Sequence, residues 1–158
     1  MSTFEIVPLT AAELDAVAQL ESVCFADPWT RAQLAEELDN PQAVVRVAKL
    51  DGVVAGYAGM HCVLDEAYIT NVAVFPQFRR LGTARALMDA LIAHCRAQSM
   101  AFLTLEVRAS NTAAITLYRS CGLAPVGTRR GFYAHPTEDA LLMTRFFSDN
   151  SKSLPCRA

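Results

Sequence analysis

The chain has 158 residues, 53% hydrophobic and 19% charged, with a formal net charge of −2. That length suits one compact domain with a full hydrophobic core, and the composition excludes a disordered polymer. Near-neutral charge gives no whole-surface footprint for nucleic acid, apolar runs stop short of the ~20 residues of a membrane span, and Met1–Glu5 lacks a secretory pattern, so a cytoplasmic protein without membrane or direct nucleic-acid partners is expected.

Phe4–Pro8 reads as a first strand. Thr10-Ala11-Ala12-Glu13 matches a capping box and opens a helix whose Leu14, Val17, Leu20 and Cys24 share one arc. Asp27-Pro28-Trp29 breaks it, and a second capping box, Thr30 to Gln33, opens a helix that runs through Leu38. Val44–Leu50, the turn Asp51-Gly52 and Val53–Val63 form a hairpin, and Ala67–Phe75 is the next strand. Gly82–Gln98 carries apolar residues at i, i+3, i+4, i+7, i+8 and i+11 from Ala84, the clearest helical pattern in the chain. Ala101–Arg108 is a strand, Asn111–Cys121 a helix that Gly122 terminates, and Ala124–Gly131 and Asp139–Phe147 are two final strands. The order predicts an α/β (α+β) domain over residues 1–147, a mixed, mostly antiparallel sheet with helices on both faces, followed by a disordered tail over 148–158.

Five cysteines, Cys24, Cys62, Cys95, Cys121 and Cys156, have no Cys-x-x-Cys spacing, and His61, His94 and His135 have no motif partner. Neither a disulfide framework nor a metal site is expected. Packing or exposure accounts for the histidines, and four of the five thiols, those among apolar residues, read as small core hydrophobes.

Chemistry concentrates at two junctions. In the first, Asn71-Val72-Ala73-Val74-Phe75-Pro76 leads through Gln77-Phe78-Arg79-Arg80-Leu81-Gly82-Thr83-Ala84-Arg85 into the long helix. The free amides and dipole of a helix N-terminus favour an anion, Gly82 permits close backbone approach, and Arg79, Arg80 and Arg85 offer charge-assisted hydrogen bonds. An isolated Arg-Arg-x-Gly is more often a solvated loop. Both the Walker and the Rossmann fingerprints are absent. At the second junction, Glu106 interrupts the apolar strand Leu103–Val107 on the face opposite Leu105, and Asn111, Ile115 and Tyr118 lie along one helix face. A solvated carboxylate and a packing tyrosine are the plainer reading of that pair taken alone.

Arg79-x-x-Gly82-x-Ala84 between a strand and an amphipathic helix resembles the pyrophosphate motif of the GNAT superfamily. The block Leu105-Glu106-Val107-Arg108-Ala109-Ser110-Asn111, with Ala114-Ile115-x-Leu117-Tyr118, Phe25-x-x-Pro28-Trp29, Val63-Leu64-Asp65-Glu66-Ala67, Arg129-Arg130 and Glu138-Asp139-Ala140, resembles its RimI-like branch. Members of that branch acetylate the N-terminal alanine of ribosomal protein S18. The resemblance covers almost everything up to Phe147, with Ala84 in place of the commoner glycine and Leu123 in place of the usual phenylalanine. It implies acetyl-CoA as co-substrate, without a metal, and the N-terminus of S18 as the partner acted upon. It implies that Val72, Ala73 and Val74 hold the pantetheine arm and acetyl carbonyl, and that Arg79, Arg80, Leu81, Gly82, Thr83, Ala84 and Arg85 hold the pyrophosphate. Asn111 would contact the cofactor, Glu106 would be the general base and Tyr118 the general acid. A small-amine acetyltransferase and a non-catalytic acyl-CoA-binding module are the alternative functions. Asp65 and Glu66 are candidates for attracting a basic peptide, and Trp29 either walls a peptide cleft or pins the first helices.

Overall fold

The structure, a computed structural model, describes residues 4–147. The tail predicted to be disordered, with Cys156, lies outside the described residues. The elements in chain order are β1 (Phe4–Pro8), α1 (Leu14–Cys24), α2 (Arg31–Leu38), β2 (Ala43–Leu50), β3 (Val53–Val63), β4 (Glu66–Val74), α3 (Thr83–Ala97), β5 (Phe102–Arg108), α4 (Thr112–Ser120), β6 (Ala124–Tyr133) and β7 (Glu138–Phe146). They match the sequence expectation element for element. The strands form a seven-stranded sheet in the order β1-β2-β3-β4-β5-β7-β6. Only β4 and β5 run parallel among the pairings β1–β2, β2–β3, β4–β5, β5–β7 and β6–β7.

Both capping boxes form. Thr10 accepts from the Ala12 amide while Glu13 accepts from the Thr10 amide at 2.8 Å, and Thr30 and Gln33 exchange the equivalent pair at 3.1 and 2.8 Å. Each box satisfies amides that a helix start leaves without partners. The end of α4 is equally local. Gly122 takes φ +91°, and the amides of Gly122 and Leu123 bond the carbonyls of Arg119 and Tyr118, a Schellman closure that favours glycine at the left-handed position.

The chain clusters into two compact units, one comprising residues up to His61 with Thr70–Leu91, the other Cys62–Ile69 with residues from Ile92 onward. In the first, Leu14, Val17 and Leu20 of α1, Leu34 of α2, Val45 and Val47 of β2, Tyr57 of β3 and Ala73 of β4 form one apolar core, and Trp29 packs against it. Trp29 therefore does pin this region. Within the second unit, β5 alternates strictly. Leu103, Leu105 and Val107 are buried, while Phe102, Thr104, Glu106 and Arg108 face the other way. Thr104 and Thr144 oxygens are 2.7 Å apart across β5–β7, so that polar pair is satisfied within the sheet.

The sequence places Asn111 inside the helix; in the structure it is the N-cap of α4, its side-chain oxygen accepting from the Ala114 amide at 3.1 Å. Asparagine wins this position because its carbonyl replaces a missing helical acceptor. His61, assigned to packing or exposure, lies 2.7 Å from Glu37 through Nε2.

Candidate active site

The loop between β4 and α3 is held from both ends. The Phe75 amide donates to the Ala55 carbonyl at 2.9 Å, Pro76–Phe78 makes one 3-10 turn, and the Thr83 hydroxyl reaches back to the Phe78 carbonyl at 3.1 Å. Arg80 and Gly82 both adopt left-handed backbone, φ +64° and +85°. A Cβ on Gly82 would meet nothing within 4 Å, so open space lies in front of this residue. The Ala86 amide bonds the Gly82 carbonyl at 2.9 Å, and a helix start leaves the amides of its first turn, here Thr83 and Ala84, without an intrahelical acceptor. Amides at a helix start, with adjacent arginines, make a fitting seat for a pyrophosphate.

The three arginines are not equivalent. Arg79 donates to the Val74 carbonyl at 3.2 Å and lies 3.6 Å from the Cys24 sulfur, so it braces the loop on the end of β4. Arg85 pairs with Asp89 at 3.2 Å along α3. Arg80 is exposed in its left-handed turn. Upstream, the parallel ladder covers only Glu66–Tyr68 against Phe102–Thr104, so Val72, Ala73 and Val74 lie beyond its end.

In the second unit the structure builds a charged cluster around Glu106. The Tyr68 hydroxyl donates to Glu106 Oε1, and Arg129 Nε lies 2.9 Å from Oε2. The Glu106 side chain is 4% exposed, so this is an enclosed carboxylate and not a solvated edge residue. Each oxygen holds one donor and keeps lone-pair capacity for a further proton or water. The partners come from β4 and β6, far from Glu106 in sequence. Alternation alone places Tyr68 only on a face, which does not identify it as a partner. Arg129 was visible as half of an Arg-Arg pair without an assigned role. Burial first, then the hydrogen bond to Glu106, raises the Tyr68 phenol above its ordinary value.

Tyr118 sits on α4, 8% exposed. Burial pushes its phenol up to about 12, with smaller contributions from Tyr133 and Cys121. Tyr133 is itself raised by burial and next by the Glu106 charge. Tyr133 is thus electrostatically coupled to both predicted catalytic groups. Arg108 explains its placement: the guanidinium stacks 4.5 Å from the Tyr133 ring and donates to the carbonyls of Ala134 and Pro136 at 3.0 and 2.9 Å. Glu138 receives Arg108 at 3.3 Å and the Ser110 amide at 2.7 Å; the Ser110 bond chiefly lowers its pKa. Arg108 and Glu138 thereby staple the β6–β7 turn to the end of β5. Replacing Arg108 with Ala removes all of these donors except the Ser110 amide. The expected result is at least tenfold faster amide exchange over residues 134–138, with β5 protection retained; equal exchange in both proteins would refute the staple.

The first unit holds a group that neither motif announced. Glu21 is fully buried on α1 and accepts from the Trp29 amide at 2.8 Å, the Asn71 Nδ2 at 2.9 Å and the Tyr57 hydroxyl. Desolvation, partly offset by these donors, raises its pKa. The Asn71 Oδ1 is buried without a partner. Turning that amide over would set Oδ1 against Glu21, an arrangement that a protonated Glu21 satisfies and an ionised one does not. The available signal was positional: Glu21 follows Leu14 by seven residues and Val17 by four, which puts it on the buried arc.

Residues 14–123 match the acetyltransferase (GNAT) family. The ribosomal protein bS18-alanine N-acetyltransferase of Escherichia coli is 37% identical over 142 residues, 87% of this chain and 94% of that protein. The enzyme of the same name from Salmonella typhimurium is 37% identical over 145 residues, 90% of this chain and 96% of that one. The crystal structure of the E. coli ribosomal-protein-S18-alanine N-acetyltransferase superposes with a TM-score of 0.84 at 35% identity, covering 91% of this chain and 94% of that chain. With a strand, phosphate-type loop and helix in the order the motif requires, and a family match that spans most of its length, the chain belongs to the acetyltransferase (GNAT) family.

Proposed function

We infer that this protein transfers the acetyl group of acetyl-CoA to the α-amine of a protein N-terminus, the N-terminal alanine of ribosomal protein S18. The observation that carries the chemistry is the enclosed Glu106 carboxylate, held by Tyr68 and Arg129 in the same unit as a buried, protonated Tyr118. The relatives named above support the substrate. The amides of Thr83 and Ala84, with Gly82, Arg80 and Arg85 of the same loop, would take the pyrophosphate, while Arg79 shapes the loop. Val72, Ala73 and Val74 offer strand backbone to the pantetheine arm. The Asn111 oxygen caps α4, which leaves its amide nitrogen for a cofactor contact.

The step is a direct displacement with both substrates bound. The amine nitrogen forms a bond to the acetyl carbon, the carbon–sulfur bond breaks, and the amine's surplus proton leaves through Glu106 or a water on it. An α-amine has an ordinary pKa near 8, so an acceptor of this kind is productive near neutral pH, unlike for lysine at about 10.4. The departing thiolate requires a proton or a strong hydrogen bond. Burial raises the Tyr118 phenol and keeps it protonated, so Tyr118 serves as the general acid that hydrogen-bonds the leaving sulfur and delivers its proton, solvent then restoring the phenol. Tyr118→Phe is accordingly expected to lower kcat about 10- to 100-fold, a loss smaller than that for removing the base, with the acceptor KM within twofold. An unchanged kcat would remove Tyr118 from the chemistry.

Release of free CoA thiol, followed with an S18 N-terminal hexapeptide, a single amino acid and a polyamine, tests the substrate class. The peptide is expected to be favoured by at least 100-fold in kcat/KM. Equal or faster turnover of a small amine would overturn the protein-substrate reading and leave the family assignment standing.

A further inference from the structure

The strand β3 carries two interior glycines, Gly56 and Gly59, and neither has positive φ, so the turn-forming freedom of glycine explains neither. A glycine inside a strand weakens it and marks a place where another backbone comes close. The two positions differ in what a side chain would meet. A Cβ on Gly59 would meet first the Thr70 hydroxyl at 3.2 Å and Val45 Cγ2 at 3.6 Å, both side-chain atoms. A Cβ on Gly56 would stand 2.7 Å from the Ala73 carbonyl oxygen, 3.1 Å from Val74 Cγ2 and 3.2 Å from Thr83 Cγ2. The first of these is a backbone atom of β4 just before the loop, and Thr83 is the buried first residue of α3. Gly56 therefore adjoins both ends of the loop, the strand that enters it and the helix that leaves it.

The preceding residue reinforces the same junction through its backbone. Along β2 the step from Ala48 to Lys49 is matched on β3 by Gly56 and Val54, so Ala55 is the extra residue of a β-bulge. A bulge bends its strand and re-aims the groups beside it. The Ala55 carbonyl accepts at 2.9 Å from the amide of Phe75, the first residue beyond β4. The neighbouring Val74 carbonyl accepts from Cys24 Sγ at 3.4 Å and Arg79 Nε at 3.2 Å, and the Thr83 hydroxyl ties the helix start to Phe78. Held from several sides, the end of β4 has little freedom to yield to an added group. We propose that Gly56 is a positioning residue for acetyl-CoA: with the Ala55 bulge it forms a seat that sets the Ala73 carbonyl and Thr83 close together. That spacing aligns the backbone of Val72–Val74 with the amides at the start of α3. The assignment rests on residues 72–85 receiving the cofactor, which Gly56 serves without touching it.

The test compares the full chain with Gly56→Ala and Gly59→Ala, by calorimetric titration of acetyl-CoA, steady-state kinetics on a peptide beginning with alanine, and urea melts. Gly56→Ala is expected to raise Kd and KM for acetyl-CoA at least about tenfold, while kcat at saturating acetyl-CoA and the peptide KM stay within about threefold. Gly59→Ala should keep acetyl-CoA affinity within about twofold, whatever it costs in stability. A folded Gly56→Ala that binds acetyl-CoA like the wild type, or a Gly59→Ala that weakens binding equally, would overturn the seat. A methyl against a backbone carbonyl can unfold a chain, so a measurement on the wild type stands beside the variants. Saturating acetyl-CoA should slow amide exchange at residues 55–57 and 75 at least about threefold more than at residues 59–61 of the same strand. Equal slowing along all of β3 contradicts the proposal. A wild type that binds no acetyl-CoA would instead overturn the reading on which the seat rests.

Discussion

Replacing Glu106 with Gln is expected to lower kcat about 10²- to 10⁴-fold while the affinity for acetyl-CoA changes less than twofold. The substitution is nearly isosteric, and an amide can still face Arg129 with its oxygen and the Tyr68 hydroxyl with its nitrogen, so both contacts of the wild-type carboxylate have a replacement. What the amide lacks is the capacity to take a proton. A loss confined to kcat therefore reports the base, whereas a parallel loss of cofactor binding would report a collapsed site. Steady-state kinetics with calorimetric titration of acetyl-CoA separates the two. Turnover within threefold of wild type would mean that another group accepts the amine proton.

The second large effect is on stability. Glu21→Ala is expected to cost about 3–5 kcal/mol, because it leaves the Trp29 amide, the Tyr57 hydroxyl and the Asn71 amide buried without their acceptor. Glu21→Gln should cost under about 2 kcal/mol, since an amide oxygen can keep the Trp29 bond and a turned Asn71 can accept from the new NH2. The pH dependence has a definite sign. Burial raises the folded pKa of Glu21, so its contribution is fully present below its unfolded value and declines as pH rises through the folded one. The wild-type advantage over Glu21→Gln should thus be largest in acid and shrink toward neutral pH. Urea melts of both proteins across that range check this, and an advantage that grows with pH would show that Glu21 is stabilised as the carboxylate.

Much of the fold was legible because its boundaries are set by short-range chemistry. Thr10 with Glu13 and Thr30 with Gln33 satisfy amides two or three residues away, and Gly122 closes α4 through its immediate neighbours. The period-two pattern of Leu103, Leu105 and Val107 placed Glu106 on the correct face. Its partners were not legible, because Tyr68 and Arg129 reach it only through the parallel β4–β5 pairing and the return of β6 along β7. No local spacing encodes those registers. Arg108 illustrates the same limit: its residue type stood in a recognisable block, yet its work on the β6–β7 turn depends on contacts 26 to 30 residues away. Glu21 was not singled out in the sequence for a different reason. An acid on an apolar arc looks like the edge of the arc until three donors from separate elements are seen to converge on it. The resemblance gives the loop arginines one shared role, and their contacts within the chain differ: Arg79 bonds the Val74 carbonyl, Arg85 pairs with Asp89 and Arg80 is exposed.

The central claim is tested most directly by mass spectrometry of an S18 N-terminal peptide beginning with alanine and containing one lysine, incubated with the enzyme and acetyl-CoA beside a copy whose α-amine is blocked. A single added acetyl group, located by fragmentation on the α-amine of the first peptide, and no addition to the second, is the predicted result. Acetyl on the lysine of the blocked peptide, or none on either while acetyl-CoA is demonstrably bound, would contradict it.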